Sequence, residues 1–350
     1  MQEDLRRHRA PARTRTAISA IVVICGCAES PKREPTPPAP GGAAAQPAQP
    51  RVSFREWDAP GRPHDPEVGA DGALWYTAEK ANAIGRLDPS TGQIREYALT
   101  TPDSGPHGLV ADRDGAIWFT AHAKGYIGKL RPDGEITEFP MPEPRAKDPH
   151  TPVFGSDGKL YFTLQQSNLI GRLDPAGGGI ELATVPTPHA QPYGIVAAGD
   201  ALYFCEFGTN KLGRIEPHSM QVREIALRDP DARPRRLALA GDGAIYFTDF
   251  ARGFLGRLDV KTNTLAEWQS PGGTSSQPYA IAATADGIVW YVETGVTPNM
   301  LVRFDPTKAS FERYPIASGG GVVRNMVAKP DGKLFLAESG VDKVAVVSIR

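Results

Sequence analysis

Cysteine is scarce, with three in 350 residues, too few for a disulfide framework. Two of them, Cys25 and Cys27, lie close together near the N-terminus. The third, Cys205, sits in the apolar run LYFCEF and is expected to be a buried small residue rather than a reactive thiol. A surplus of positive charge is also missing. Lys and Arg number 39 against 40 Asp and Glu, so nucleic acid, whose binders carry a clustered basic excess, is not an expected partner. Absent too is any apolar stripe at helical spacing and useful length, which leaves little room for helices. The chain is rich instead in turn formers, 37 Gly and 33 Pro, as suits many short strands joined by tight turns.

The basic residues that do cluster are Arg6, Arg7, Arg9, Arg13 and Arg15. They precede an apolar run from Ala17 to Cys25, too short to span a bilayer of about 30 Å as a helix. A basic region followed by a short apolar one ending in small residues describes an export signal over residues 1–27. Ile24-Cys25-Gly26-Cys27 resembles a bacterial lipobox, which makes Cys27 the expected site of lipidation and of a membrane anchor; cleavage as an ordinary signal peptide stays open. Location in the periplasm or cell envelope follows. Residues 28–50 are Pro/Ala/Gly-rich and carry almost no bulky apolar side chain, so they are expected to remain a disordered linker.

The folded part is expected over residues 51–350, and it repeats. The unit PHGLVADRDGAIWFTAHAKGYIGKLRPDGEITEF, residues 106–139, holds four short apolar runs. Asp-Gly and Pro-Asp-Gly separate them at the tight turns. Its Pro-His position returns as His64, His107, His150, Tyr193, Arg235, Tyr279 and Arg324, at spacings of 42 to 45 residues. Four strands in about 43 residues is the size of one propeller blade. The seventh repeat lacks a fourth strand, and the orphan segment Val52–Trp57 matches the missing one. The expected fold is therefore all-β: a seven-bladed β-propeller of four-stranded blades, its last blade closed by the N-terminal strand. A monomer is expected.

In such a blade the start of the innermost strand and the end of the second strand lie side by side at one channel mouth. Two rings of side chains follow. The first is the Pro-His series; the second holds Glu79, His122, Gln165, Glu206, Asp249, Glu293 and Glu338, to within one position. These positions differ between blades while the rest of the unit repeats, so the blade's own packing does not dictate them. A small-molecule or cyclic peptide ligand in the central channel is the expected partner.

The repeated frame, PHG[IL], DGxIWFT and IGR[LI]DP, resembles the streptogramin B lyase (virginiamycin B lyase) family over nearly all of residues 51–350. The resemblance implies a Mg²⁺-dependent carbon–oxygen lyase that opens a cyclic depsipeptide at its ester without adding water. It implies a His base at the Pro-His position of the last blade and a metal-binding Glu fourteen residues later. Glu338 matches the Glu, and Glu293 would join it at the metal. The His position, however, is Arg324, and the preceding blade carries Tyr279 in place of a second His. A guanidinium of pKa about 12.5 or more cannot be a base at neutral pH. His64 in the neighbouring first blade, or His107, then becomes the candidate base. His64, His107 and His150 together would suit Zn²⁺ better than Mg²⁺. His150, Tyr193, Arg235 and Tyr279 are the candidate substrate contacts, and the two arginines favour an anion. A non-catalytic binding propeller and a metal-dependent lactone hydrolase stand as alternatives.

Overall fold

The computed structural model describes residues 51–350; the signal, lipidation and linker readings fall outside them. Seven four-stranded antiparallel sheets are present, and among the described residues there is no helix. Blade two is representative, with strands Pro106–Ala111, Ile117–Ala121, Tyr126–Leu130 and Ile136–Pro140 in order from the centre outward. The first strands of successive blades pack on one another, blade seven on blade one included, so the ring is closed. In blade seven Val52–Asp58 is the outermost strand and pairs with Lys343–Ile349, Val52 opposite Ile349 and Asp58 opposite Lys343. The two ends of the propeller are thereby zipped together, and no half-finished sheet edge is left open.

Burial explains why the four strands read so differently. The second strand of every blade is buried along its whole length, which is why IWFTA and its copies are continuous apolar runs. The fourth strand is half-exposed, and there charges enter, as in Ile94–Ala98. The glycine of the IGR motif is a packing residue. Gly128 lies opposite Phe119, and a Cβ there would come within 2.0 Å of the Phe119 ring. The same glycine recurs at Gly85, Gly171, Gly213 and Gly256, each under an aromatic ring of the second strand.

Adjacent blades are tied by a threonine near the end of the second strand. Thr120 Oγ1 accepts from the Gly108 amide at 2.9 Å and donates to the His150 carbonyl of the next blade at 2.8 Å. Thr77, Thr163 and Thr248 do the same toward His107, Tyr193 and Tyr279. In blade four the position is Cys205, fully buried, its thiol pushed well up by burial. Thr120→Val keeps the shape and removes the hydroxyl, stranding a buried amide and a buried carbonyl. A loss of about 1–3 kcal/mol is expected, read as a lower urea midpoint at unchanged m-value.

Candidate functional site

The first-ring residues owe their direction to a bulge. In blade two Pro106 pairs with Ala121 and Leu109 with Phe119, so His107 and Gly108 face one residue, Thr120. Blades one and three to six carry the same irregularity, and in blade seven Arg324 is the extra residue between Val323 and Asn325. A bulge locally re-aims a side chain without ending the strand. In blades one to six the innermost strand starts at the proline and contains the ring residue; in blade seven it starts at Val323.

His64, His107, His150 and Tyr193 form one continuous stack across blades one to four. Successive ring centroids are 3.6, 3.8 and 4.0 Å apart, and His122 flanks His107 at 5.4 Å and His150 at 5.9 Å. Tyr193 and Tyr279 are joined through their hydroxyls. Between them sits Arg235, its guanidinium carbon 3.7 Å from the Tyr279 centroid, 4.2 Å from Phe250, 4.7 Å from Phe207 and 5.1 Å from Tyr193. Four aromatic faces thus hold one cation. Arg324 completes the ring beside His64.

Beneath the stack lies a buried ion pair across the channel. Arg236 of blade five reaches Asp65 of blade one at 2.8 Å, and the two are only 3% and 1% exposed. Asp65 also takes His64 Nδ1 at 2.9 Å, while Arg236 lies 3.4 Å from Thr151 Oγ1, itself 2.8 Å from His150 Nδ1. Burial pulls Arg236 downward, but Asp65, Tyr193 and Tyr279 together outweigh it and its pKa rises. His64 is held well below the ordinary imidazole value by burial first, then by Arg324 and Arg236. His107 is lowered by burial and then by His64, and His150 by burial and then by His107 and Arg236. All three rings are neutral at pH 7. Neutral His64 must then donate from Nδ1 to Asp65, which leaves Nε2 as its basic nitrogen.

The second ring splits. Glu79, His122 and Gln165 lie one residue beyond the second strand, where blades four and five carry Phe207 and Phe250. The acids Glu206, Asp249, Glu293 and Glu338 instead end the strand itself, and their carboxylates turn away from the channel. Glu293 meets Arg313 of its blade's outermost strand at 2.7 Å and the Gly272 amide at 2.6 Å. Glu338 accepts from Ser318 Oγ at 2.8 Å in the loop entering blade seven, close to Glu56 of the outermost strand. Asp249 pairs with Arg252 at 2.6 Å, and Glu206 accepts from Thr209 at 2.8 Å. The acids clasp the loops that join blades; one step along a strand turns a side chain to the other face.

Glu338 and Glu293, the expected metal ligands, are thus engaged at interblade loops, where Glu338 Oε1 is buried without a partner. Glu293 is already neutralised by Arg313, and Mg²⁺ needs free oxygen donors. Among the described residues the group of three metal-ligating side chains with converging donors, all within 4.8 Å, is His64, Asp65 and His107. It offers two nitrogens and a carboxylate shared with Arg236, again a poor match for Mg²⁺. Neither Glu293 nor the His64 group fits that ion, and nothing below depends on it. Asp65 and Arg236 were not anticipated as a pair. The available signal was charge in a strand interior where other blades place Gly108, Gly194 and Ala280.

The fold and its site thus define a seven-bladed propeller with one channel mouth lined by imidazoles, phenols and guanidiniums. The chain belongs to the virginiamycin B lyase family, which it matches over residues 49–275. Tyr279 and Arg324 lie in the two blades beyond that stretch. No curated protein sequence matches the chain. Among solved structures, a streptogramin B lyase superposes with a TM-score of 0.77 at 27% identity, covering 85% of this chain and 98% of that one. Virginiamycin B lyase from Staphylococcus aureus gives 0.78 at 28% identity, covering 85% and 99%. A catalytically inactive histidine-to-alanine variant of that enzyme, solved with quinupristin, gives 0.78 at 27% identity over the same shares.

Burial lifts Glu206 to about 7, partly offset by the Thr209 hydrogen bond. A carboxyl raised on folding stabilises the fold below the unfolded value and loses that contribution as pH rises through about 7. Glu206→Gln removes this dependence. Its stability relative to wild type should be greatest above pH 7 and decline by about 3 kcal/mol on acidification through the window, followed as urea midpoints at pH 8 and pH 5.

Proposed function

We propose that the protein is an exported carbon–oxygen lyase of the virginiamycin B lyase kind, opening a cyclic ester or depsipeptide at the channel mouth. The observation that carries this reading is the His64–Asp65 pair standing beside Arg324. Blade one adjoins blade seven in the closed ring. The imidazole that family resemblance puts in the last blade is thus replaced by one from the next blade round, while the vacated position holds a cation.

The chemistry is β-elimination. His64 Nε2 takes the proton α to the carbonyl, the C–H electron pair becomes the new C=C bond, and the β-carbon–oxygen bond breaks with its electrons leaving on the ester carboxylate. Asp65 fixes the tautomer and orientation of His64, and Arg236 pairs with Asp65 in its buried position. Arg324 faces the negative charge that develops on the carbonyl oxygen or the departing carboxylate. His107 packs on His64 and holds the ring in place. His150, Tyr193 and Tyr279 give the substrate a polar aromatic floor.

Arg324 standing where the lyases place histidine favours a second reading, a propeller that binds the same class of ligand without turnover. The two separate on linearisation of a streptogramin B by the purified protein, with water labelled by heavy oxygen present. An unsaturated product free of label supports the lyase. Incorporated label marks a lactone hydrolase, and no turnover marks the binding module. For the lyase, His64→Gln should lower kcat by at least 10²-fold, and an equally active variant would refute the base. Neutral His64 is the active form, so kcat/KM is flat through pH 7 and falls only well below the ordinary imidazole pKa. Arg324→Gln removes one of the causes of that depression and should move the acid limb to higher pH. The export reading predicts that Cys27→Ser releases the protein from membranes.

A further inference from the structure

The cations at the channel mouth fall into two kinds. Arg236 is paired with Asp65, Arg62 meets Glu79 at 3.4 Å, and Arg252 meets Asp249, Asp229 and Glu267. Arg235 and Arg324 have no carboxylate partner among the described residues. Both are half-buried, and the Nε of each is buried without a hydrogen-bond partner. Their neighbours in the ring, His64, His107, His150 and Tyr193, carry no charge at pH 7. Two uncompensated guanidiniums are thus held over neutral rings, an arrangement whose missing component is an anion.

Arg235 is built for this task. Its planar cation is supported by the faces of Tyr193, Phe207, Phe250 and Tyr279, leaving the in-plane N–H edge as its hydrogen-bonding side. That edge is a fork matching two coplanar oxygens. Arg235 and Arg324 belong to blades five and seven, with Tyr279 of blade six between them, so each guanidinium meets its own group. We infer that the ligand of this mouth carries a free carboxylate in addition to its ester: Arg235 takes the carboxylate and Arg324 stands at the ester end beside His64. The ester half of this assignment rests on the lyase reading; the carboxylate half does not.

The test uses the full chain and two probes, a γ-butyrolactone bearing a ring carboxylate and the same lactone as its primary amide, titrated calorimetrically at low and moderate salt. The carboxylate should bind about tenfold more tightly or better, with the margin shrinking as salt rises. Arg235→Gln should abolish the preference, and Arg235→Lys, which keeps the charge but not the fork, should retain part of it; thermal melts verify that both variants fold. Equal binding of the two probes, no binding of the carboxylate, or a preference surviving Arg235→Gln would overturn the assignment. Tight binding of the carboxylate with no turnover of any cyclic ester leaves it standing while removing the lyase reading. Turnover of neutral depsipeptides with no charge preference does the reverse.

Discussion

One bulge, repeated seven times, is the constraint on which the site depends. A regular inner strand would alternate its side chains between neighbouring blades, and none would be committed to the channel mouth. The extra residue in each inner strand breaks that alternation at the same level in every blade. Closure then brings seven such residues from about 260 residues of chain into one circle. Because the bulged residue contributes little to its own blade, it is free to be His, Tyr or Arg. The threonine hydroxyls that hold the neighbouring carbonyls keep the circle in register.

The ion pair between Arg236 and Asp65 gives the circle an inside. Two charges this deeply buried gain stability only if each is fully engaged, and losing one partner of such a pair costs about 3–5 kcal/mol. Here the carboxylate is shared by a guanidinium from blade five and an imidazole from blade one, so the pair spans the channel. It closes the stacked rings off from the narrow cavity on the other side, 180 Å³ in volume and lined by Glu67, Val110, Val153 and Met326. Within the mouth Arg236 adds to burial and Arg324 in holding the His64 pKa down, while Asp65 orients the ring. A packing element and a chemical one are therefore the same residues.

Two arginines without a carboxylate partner among the described residues separate this mouth from a merely capped strand end. Capping histidines would satisfy loops and leave no net charge. The observed ring instead concentrates positive charge over aromatic groups, an arrangement that suits an anionic ligand. The acids of the second strand, once turned outward, no longer offset that charge. They hold interblade loops instead.

Much of this was legible in the sequence. Turn spacing, the apolar second strand and the orphan Val52–Trp57 segment determined seven blades and their closure, because strand patterning and turn chemistry are local. The identities of the ring residues were legible for the same reason: a period of about 43 residues lines them up. Direction was not. Whether Glu338 and Glu293 face the channel or a loop depends on one step of strand register, and a bulge near that step makes counting unreliable. Contact across the ring was not legible either. Asp65 and Arg236 are 171 residues apart, and only the closed circle, by fixing which blade stands opposite which, decided that they meet.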